Sequence, residues 1–164
     1  MQVETQQRCC TIRKATECDA SQILECLRAA FEPYRNFYSP EAFADTTLTP
    51  DTLRNRLSTM CILVATTEPG EVIGTVAYSV IDRTDGHIRG MAVLPAWQGC
   101  AVAEQLLAAV ESELRARKCS RISLDTTEPL RTAIRFYEKK GFRRSGRIGD
   151  FFGMPLIEYV RDLS

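Results

Sequence analysis

Pro95-Ala96-Trp97-Gln98-Gly99-Cys100-Ala101-Val102-Ala103 is the stretch on which the fold of this chain turns. It follows a strand-like run, residues 87–94, and precedes an amphipathic helix in which Ala103, Leu106, Leu107, Val110 and Leu114 recur at helical spacing. A strand that turns tightly into a helix leaves the first amide N–H groups of that helix unpaired. Those donors sit at the positive end of the helix dipole and suit phosphate oxygens. A second segment, Ala133-Ile134-Arg135-Phe136-Tyr137-Glu138-Lys139-Lys140-Gly141-Phe142, reads as a helix opened at Pro129 and closed by Gly141 at its C′ position. Together the two segments predict a phosphate-bearing cofactor gripped by one helix start and a reactive tyrosine supplied by the next helix.

Outward from these segments, the chain alternates between the two periodicities. Residues 10–15 read as a first strand. Asp19 then caps a helix, with Gln22 three residues on as in a capping box, and Ile23, Leu27, Ala30 and Phe31 share its apolar face until Pro33. Residues 33–48 read as a loop rich in aromatics. Thr49-Pro50 opens another helix, lined by Leu53, Leu57 and Met60. Residues 61–66 and 72–81 form a hairpin across Glu68-Pro69-Gly70, and the turn Asp82–Gly86 leads into 87–94. Arg121 to Asp125 is a short strand, and residues 142–162 offer two more. No repeat, low-complexity tract or linker interrupts the 164 residues, so residues 1–164 are expected to form one mixed α/β domain around a single sheet.

Composition narrows the classes of partner. Hydrophobic residues make up 45% of the chain, which is ordinary for a folded domain. Lys plus Arg and Asp plus Glu are both 21, and a net charge of zero argues against a nucleic-acid surface. No apolar run approaches the roughly 20 residues that span a bilayer, and Met1–Arg8 is polar, so a cytoplasmic protein without a membrane partner is expected. The seven cysteines, among them Cys9 and Cys100, include no C-x-x-C spacing, and a single histidine accompanies them. They read as buried or incidental thiols in a reducing compartment, with no metal site.

The two motifs resemble those of the GNAT superfamily of N-acetyltransferases, and the resemblance covers nearly the whole chain. The cofactor motif of that family is Gln/Arg-x-x-Gly-x-Gly/Ala at a strand-to-helix turn. Gln98 takes its first position and Ala103 its last, with Ala101 in place of the central glycine. The resemblance implies a largely antiparallel central sheet flanked by helices, with a strand splay at the cofactor site. It implies that Gln98 and the amides of Gly99, Cys100, Ala101, Val102 and Ala103 hold the pyrophosphate of acetyl-CoA. Backbone groups of Met91 and Val93 would hydrogen-bond the pantetheine arm. Ala133, Phe136, Tyr137, Gly141 and Phe142 match the second motif, in which the tyrosine is the general acid towards the departing thiolate. Leu130 stands where many members have a cofactor-touching asparagine. His87 stands where many have a glutamate acting as base through water, and a neutral imidazole can accept an amine proton near pH 7.

The aromatic segment corresponds to the region that shapes the acceptor pocket in this family. Phe31, Tyr34, Phe37 and Tyr38 could wall such a pocket or pack the core. Glu32 or Glu41 could attract an ammonium group, and Phe151-Phe152-Gly153-Met154 could close the other side. The resulting expectation is an N-acetyltransferase. It moves an acetyl group from acetyl-CoA to a small-molecule or peptide-like primary amine, by direct attack in a ternary complex and without a metal. A homodimer is left open. The alternative is a module of the same fold that binds acyl-CoA or a protein without turnover.

Overall fold

A computed structural model of the protein describes residues 10–163; Cys9 and the polar Met1–Arg8 stretch lie outside them. The element order is β1 (Thr11–Lys14), α1 (Ala20–Phe31), α2 (Pro40–Thr47), α3 (Pro50–Thr59), β2 (Cys61–Thr66), β3 (Val72–Asp82), β4 (Asp85–Val93), α4 (Val102–Ala116), β5 (Arg121–Thr126), α5 (Arg131–Lys139), β6 (Arg143–Phe151) and β7 (Met154–Asp162). Among the described residues the strands form one seven-stranded sheet in the order β1-β2-β3-β4-β5-β7-β6. Every neighbouring pair is antiparallel except β4 with β5.

Both faces of the sheet centre are covered. Side chains of β2 alternate, with Leu63 and Ala65 joining the core under α4 and α5, and Ile62 and Val64 joining that under α1 and α3. This is why β2 and the first half of β3 read as continuous apolar runs rather than as an alternating pattern. Leu106, Leu107, Val110 and Leu114 of α4 are each buried to within 2% of complete. Each such side chain stabilises the fold by on the order of 1.5–3 kcal/mol. The start of α4 sits tightly on β3, because a Cβ on Gly74 would lie 2.9 Å from Val102 Cγ1. That close approach sets where the first turn of α4 stands against β4.

Several local expectations shift. Residues 33–48 are not a loop but a 3-10 segment, Glu32–Phe37, followed by α2. Ser39 caps α2 by accepting from the Ala42 amide, Pro40 takes the first position, and Tyr38, Ala42 and Phe43 make a buried cluster against which Phe31 and Tyr34 pack. The capping box lies one turn earlier than expected, between Thr16 and Asp19, while Gln22 Oε1 accepts from the Val72 amide instead. Asp19 is bound by Arg13 through two 2.8 Å hydrogen bonds, which with the Thr16 amide hold its carboxyl down at about 2. The turn expected over residues 82–86 shrinks to Arg83-Thr84, since Asp82 already pairs with Asp85. α5 begins at Arg131 rather than Pro129, because Pro129 belongs to a turn closed by Leu130 N–H donating to Thr127 O.

Candidate active site

The site starts from a gap in the sheet. Asp85–Ile88 of β4 pair with Arg121–Leu124 of β5, and there the parallel ladder stops. β4 runs on to Val93, while β5 follows β7 as far as Thr126↔Ile157. At the point of separation β4 carries a bulge. Thr75 pairs with Ala92 and Ala77 with Arg89, so β4 holds one extra residue, and Gly90 takes the left-handed conformation at φ +63°. The separation opens a cavity of about 800 Å³, within the range of small-molecule sites.

The first turn of α4 faces this cavity. Ala101, its N-cap residue, offers no side-chain cap, so the amides of Val102, Ala103 and Glu104 keep their donors for a ligand. Gly99, Ala101, Val102 and Ala103 line the cavity, whereas Cys100 is exposed beside it. The Val102 side chain is 1% exposed and packs into the core, so this residue can contribute only its backbone. Gln98 also lines the cavity, but its side-chain amide donates to Val93 O at 3.1 Å, tying the turn to the end of β4. Glu104, a carboxylate that would oppose phosphates, is paired with Lys140 at 3.3 Å. The uncapped donors and the open wedge therefore fit a pyrophosphate on a long narrow arm.

Ala101 itself lies at φ 63°, ψ 14°, a left-handed conformation that opposes a Cβ. Ala101→Gly is expected to raise stability by about 1 kcal/mol, or about 2–4 °C in melting temperature, with acetyl-CoA affinity equal or tighter. Thermal unfolding and calorimetric titration check this; a lower melting temperature would show that the turn carries no such strain.

Tyr137 is buried in the wall of the cavity. Its hydroxyl donates to Met91 Sδ at 3.6 Å, and its ring stands edge-on to Phe136 and Phe142 at 5.4 and 5.6 Å. Burial alone pushes its phenol well above the ordinary tyrosine range, so it keeps its proton at neutral pH. A thioether is a weak acceptor and leaves that hydroxyl free to redirect. Opposite the bend in β4, His87 Nδ1 lies 2.9 Å from Ser123 Oγ and Nε2 lies 3.7 Å from Asp125 Oδ2. Burial lowers the imidazole below its usual value, with the Asp125 charge opposing, and burial raises the Asp125 carboxyl. Neither Ser123 nor Asp125 stood out in the sequence. Only the parallel register, His87 against Ser123, sets them beside the histidine.

The acceptor side is mixed. Phe31, Tyr34, Tyr38 and Phe151 line the cavity. Tyr38 is buried, with its hydroxyl 2.6 Å from Thr127 Oγ1. Glu32 does not line the cavity: it is exposed and bound to Arg35 at 2.9 Å, and Arg35 in turn covers the Phe43 ring at 4.2 Å. Phe37 is 64% exposed, and Glu41, Phe152, Gly153 and Met154 also stand outside the cavity lining. Asp45, Arg56, Arg89 and Asp125 line it unannounced, because no short motif marks them.

The family model for the acetyltransferase (GNAT) family matches residues 21–142. The chain belongs to the GNAT acetyltransferase family. This GNAT chain is also 37% identical over 79 residues to the uncharacterized protein YdhI of Bacillus subtilis (strain 168), a match that spans 48% of each. Thus the chain spans about half the length of the curated relative it matches. Among solved structures, a GNAT acetyltransferase from Staphylococcus aureus Mu50 superimposes with a TM-score of 0.76 at 17% identity, over 94% of this chain and 99% of that one. The PaiA N-acetyltransferase of Thermoplasma acidophilum in complex with coenzyme A gives 0.76 at 18% identity, over 93% and 98%. The mixed, largely antiparallel sheet with helices on both faces is therefore the GNAT fold, and the expected splay lies between β4 and β5. Among the described residues no helix is long and apolar enough to cross a membrane, and no group of three or more His, Cys, Asp or Glu side chains gathers as for a metal.

Proposed function

We propose that this protein is an acetyl-CoA-dependent N-acetyltransferase that passes an acetyl group to a primary amine by direct attack in a ternary complex. The observation that carries this reading is the meeting, on one cavity, of the uncapped start of α4, the β4–β5 wedge and the Tyr137 hydroxyl. Acetyl-CoA, as co-substrate, would supply the activated acetyl thioester.

The chain's own groups then have distinct tasks. Of the amides of residues 99–103, those of Gly99, Ala101, Val102 and Ala103 hold the phosphates, since that of Cys100 already donates to Trp97 O at 3.3 Å, and an anion at a partly buried helix start gains up to about 2 kcal/mol. Gly90 and Met91 fall outside the β3 ladder at the bulge and line the cavity, where a backbone donor can polarise a carbonyl. His87 takes up the amine proton. With Nδ1–H donating to Ser123 Oγ, whose hydroxyl reaches Gly86 O at 3.4 Å, the lone pair at Nε2 is free. Asp125 then faces the imidazolium that forms. Tyr137 gives its proton to the departing thiolate: burial raises the phenol above its ordinary range, and the same water-poor wall makes the thiolate that forms beside it more basic too. Holding both substrates in one wedge contributes the largest part of the acceleration.

Titration with acetyl-CoA and with coenzyme A, read as a rise in melting temperature, tests the cofactor site. Release of free thiol with a panel of amino acids, polyamines, aminoglycosides and peptides tests turnover. Ligand binding is expected with both coenzymes and thiol release with at least one amine. Binding without release from any amine would instead favour a non-catalytic acyl-CoA-binding module.

A further inference from the structure

Among the described residues two charged side chains are buried, Asp19, which Arg13 pairs, and Arg56. Arg56 lies on the inner face of α3, 8% exposed, and lines the cavity. Its guanidinium makes no hydrogen bond or ion pair with any described residue. The one acid acting on it, Asp45, is already bound to Arg89 through a 2.8 Å contact. Two guanidiniums therefore share a single carboxylate. The chain even clears space for this group: a Cβ on Gly90 would come within 2.8 Å of Arg56 Nη1. None of its nitrogens is a fully buried unpaired atom, so the group opens onto the cavity, and a guanidinium offers a planar fork of donors matched to a carboxylate. Burial and the neighbouring Arg89 push Arg56 down to about 10.

The two faces of β4 decide where such an anion comes from. Met91 and Val93 point into the core under α4 and α5, beside the phosphate-binding amides, whereas Ala92 points into the core under α1 and α3. Arg56 comes from α3, on the face away from those amides and on that of Phe31. If the coenzyme pyrophosphate lies at the start of α4, it is on the opposite face, so an anion bound by Arg56 would belong to the acceptor.

We propose that Arg56 binds the carboxylate of the acceptor, so that the amine acetylated belongs to an amino acid or to a short peptide with a free C-terminus. This rests on the acetyltransferase reading above. The aromatic wall of Phe31, Tyr34 and Phe151 suits an apolar body between amine and carboxylate.

The test compares phenylalanine with phenylalaninamide, and Gly-Gly-Phe with its C-terminal amide, each KM expressed for the free-base amine. In the wild type the acid of one pair is expected to have a KM roughly 10- to 100-fold below its amide, as for loss of a charge-assisted bidentate bond. Which pair shows it separates amino acid from peptide. In Arg56→Met the ratio collapses to about one, with the KM for acetyl-CoA unmoved and the melting temperature equal or higher, because an unpaired buried charge has gone. Arg56→Lys keeps part of the preference. Equal KM values for acid and amide in the wild type, or an unchanged ratio in Arg56→Met, would overturn the assignment. A second measurement does not depend on turnover. N-acetylphenylalanine, but not its amide, is expected to shift an arginine Nε–Hε NMR signal that is absent from Arg56→Met. The shift is sought in the apo and coenzyme A-loaded protein, and no selective shift in either refutes the site. Failure of acetyl-CoA to bind or react would refute the acetyltransferase reading and leave this second result intact.

Discussion

Tyr137→Phe is expected to lower kcat by about 100- to 10,000-fold, with the KM for acetyl-CoA and the melting temperature nearly unchanged. The change removes one oxygen. The ring stays wedged edge-on between Phe136 and Phe142, and the only internal bond lost is a 3.6 Å contact to a thioether. Packing and ligand binding therefore survive, while the proton donor for the leaving thiolate does not. Burial keeps the proton in place, because a phenol raised above its ordinary range is protonated at any pH where the amine can react. Single-turnover rates at saturating acetyl-CoA and amine report the chemical step without product release. A rate equal to wild type there would make Tyr137 a packing residue. A loss confined to acetyl-CoA affinity would make it a binding residue.

His87→Ala carries the second large effect and a defined pH signature. A base must be neutral to act. Burial holds the His87 imidazole below its ordinary value of about 6.5, so the wild-type kcat is expected to fall only as the pH drops below that point and to hold steady above it. With the imidazole gone, the amine must lose its proton to solvent. The rate near neutrality then falls by roughly 100-fold or more, and the acid limb moves up towards the amine's own pKa. A profile with the same midpoint in His87→Ala would remove this residue from the proton path. Burial gives the expectation its sign: Asp125, whose Oδ2 lies 3.7 Å from Nε2, and Glu158 oppose it, and Arg89 reinforces it.

The parts of this site that were legible in the sequence are local in the chain. Gln98 to Ala103 lie in one turn between a strand and a helix, and that turn alone predicts exposed amides. Tyr137 stands four residues before Gly141, which closes α5 at φ +92°, so helix periodicity fixes which way it faces. The segment after Phe31 carries a helix signal that a loop reading passes over: Ser39-Pro40-Glu41 is a capped helix start, and Pro33 and Pro40 together break the helical pattern on either side of so short a helix. Glu32 looked available to an ammonium group, but Arg35, three residues on along the same 3-10 segment, occupies it.

Arg56 shows the opposite case. In sequence it is one of three charged or polar residues between Leu53 and Leu57, indistinguishable from Arg54, which is exposed and pairs loosely with Asp51 at 3.4 Å. Burial separates the two arginines, and burial depends on α3 lying across the bulge at Gly90. Asp125 is likewise an unremarkable strand residue until β5 aligns beside β4.

By itself, then, the sequence determined most element types, the uncapped helix start and the place of the tyrosine, because each depends on hydrogen bonds and periodicity within about a dozen consecutive residues. Only the tertiary structure decided which charges meet. The partners of His87 lie 36 and 38 positions away, and the Arg89–Asp45 pair spans 44. Coulomb energies depend on distance and burial in space, neither of which is encoded at any one position.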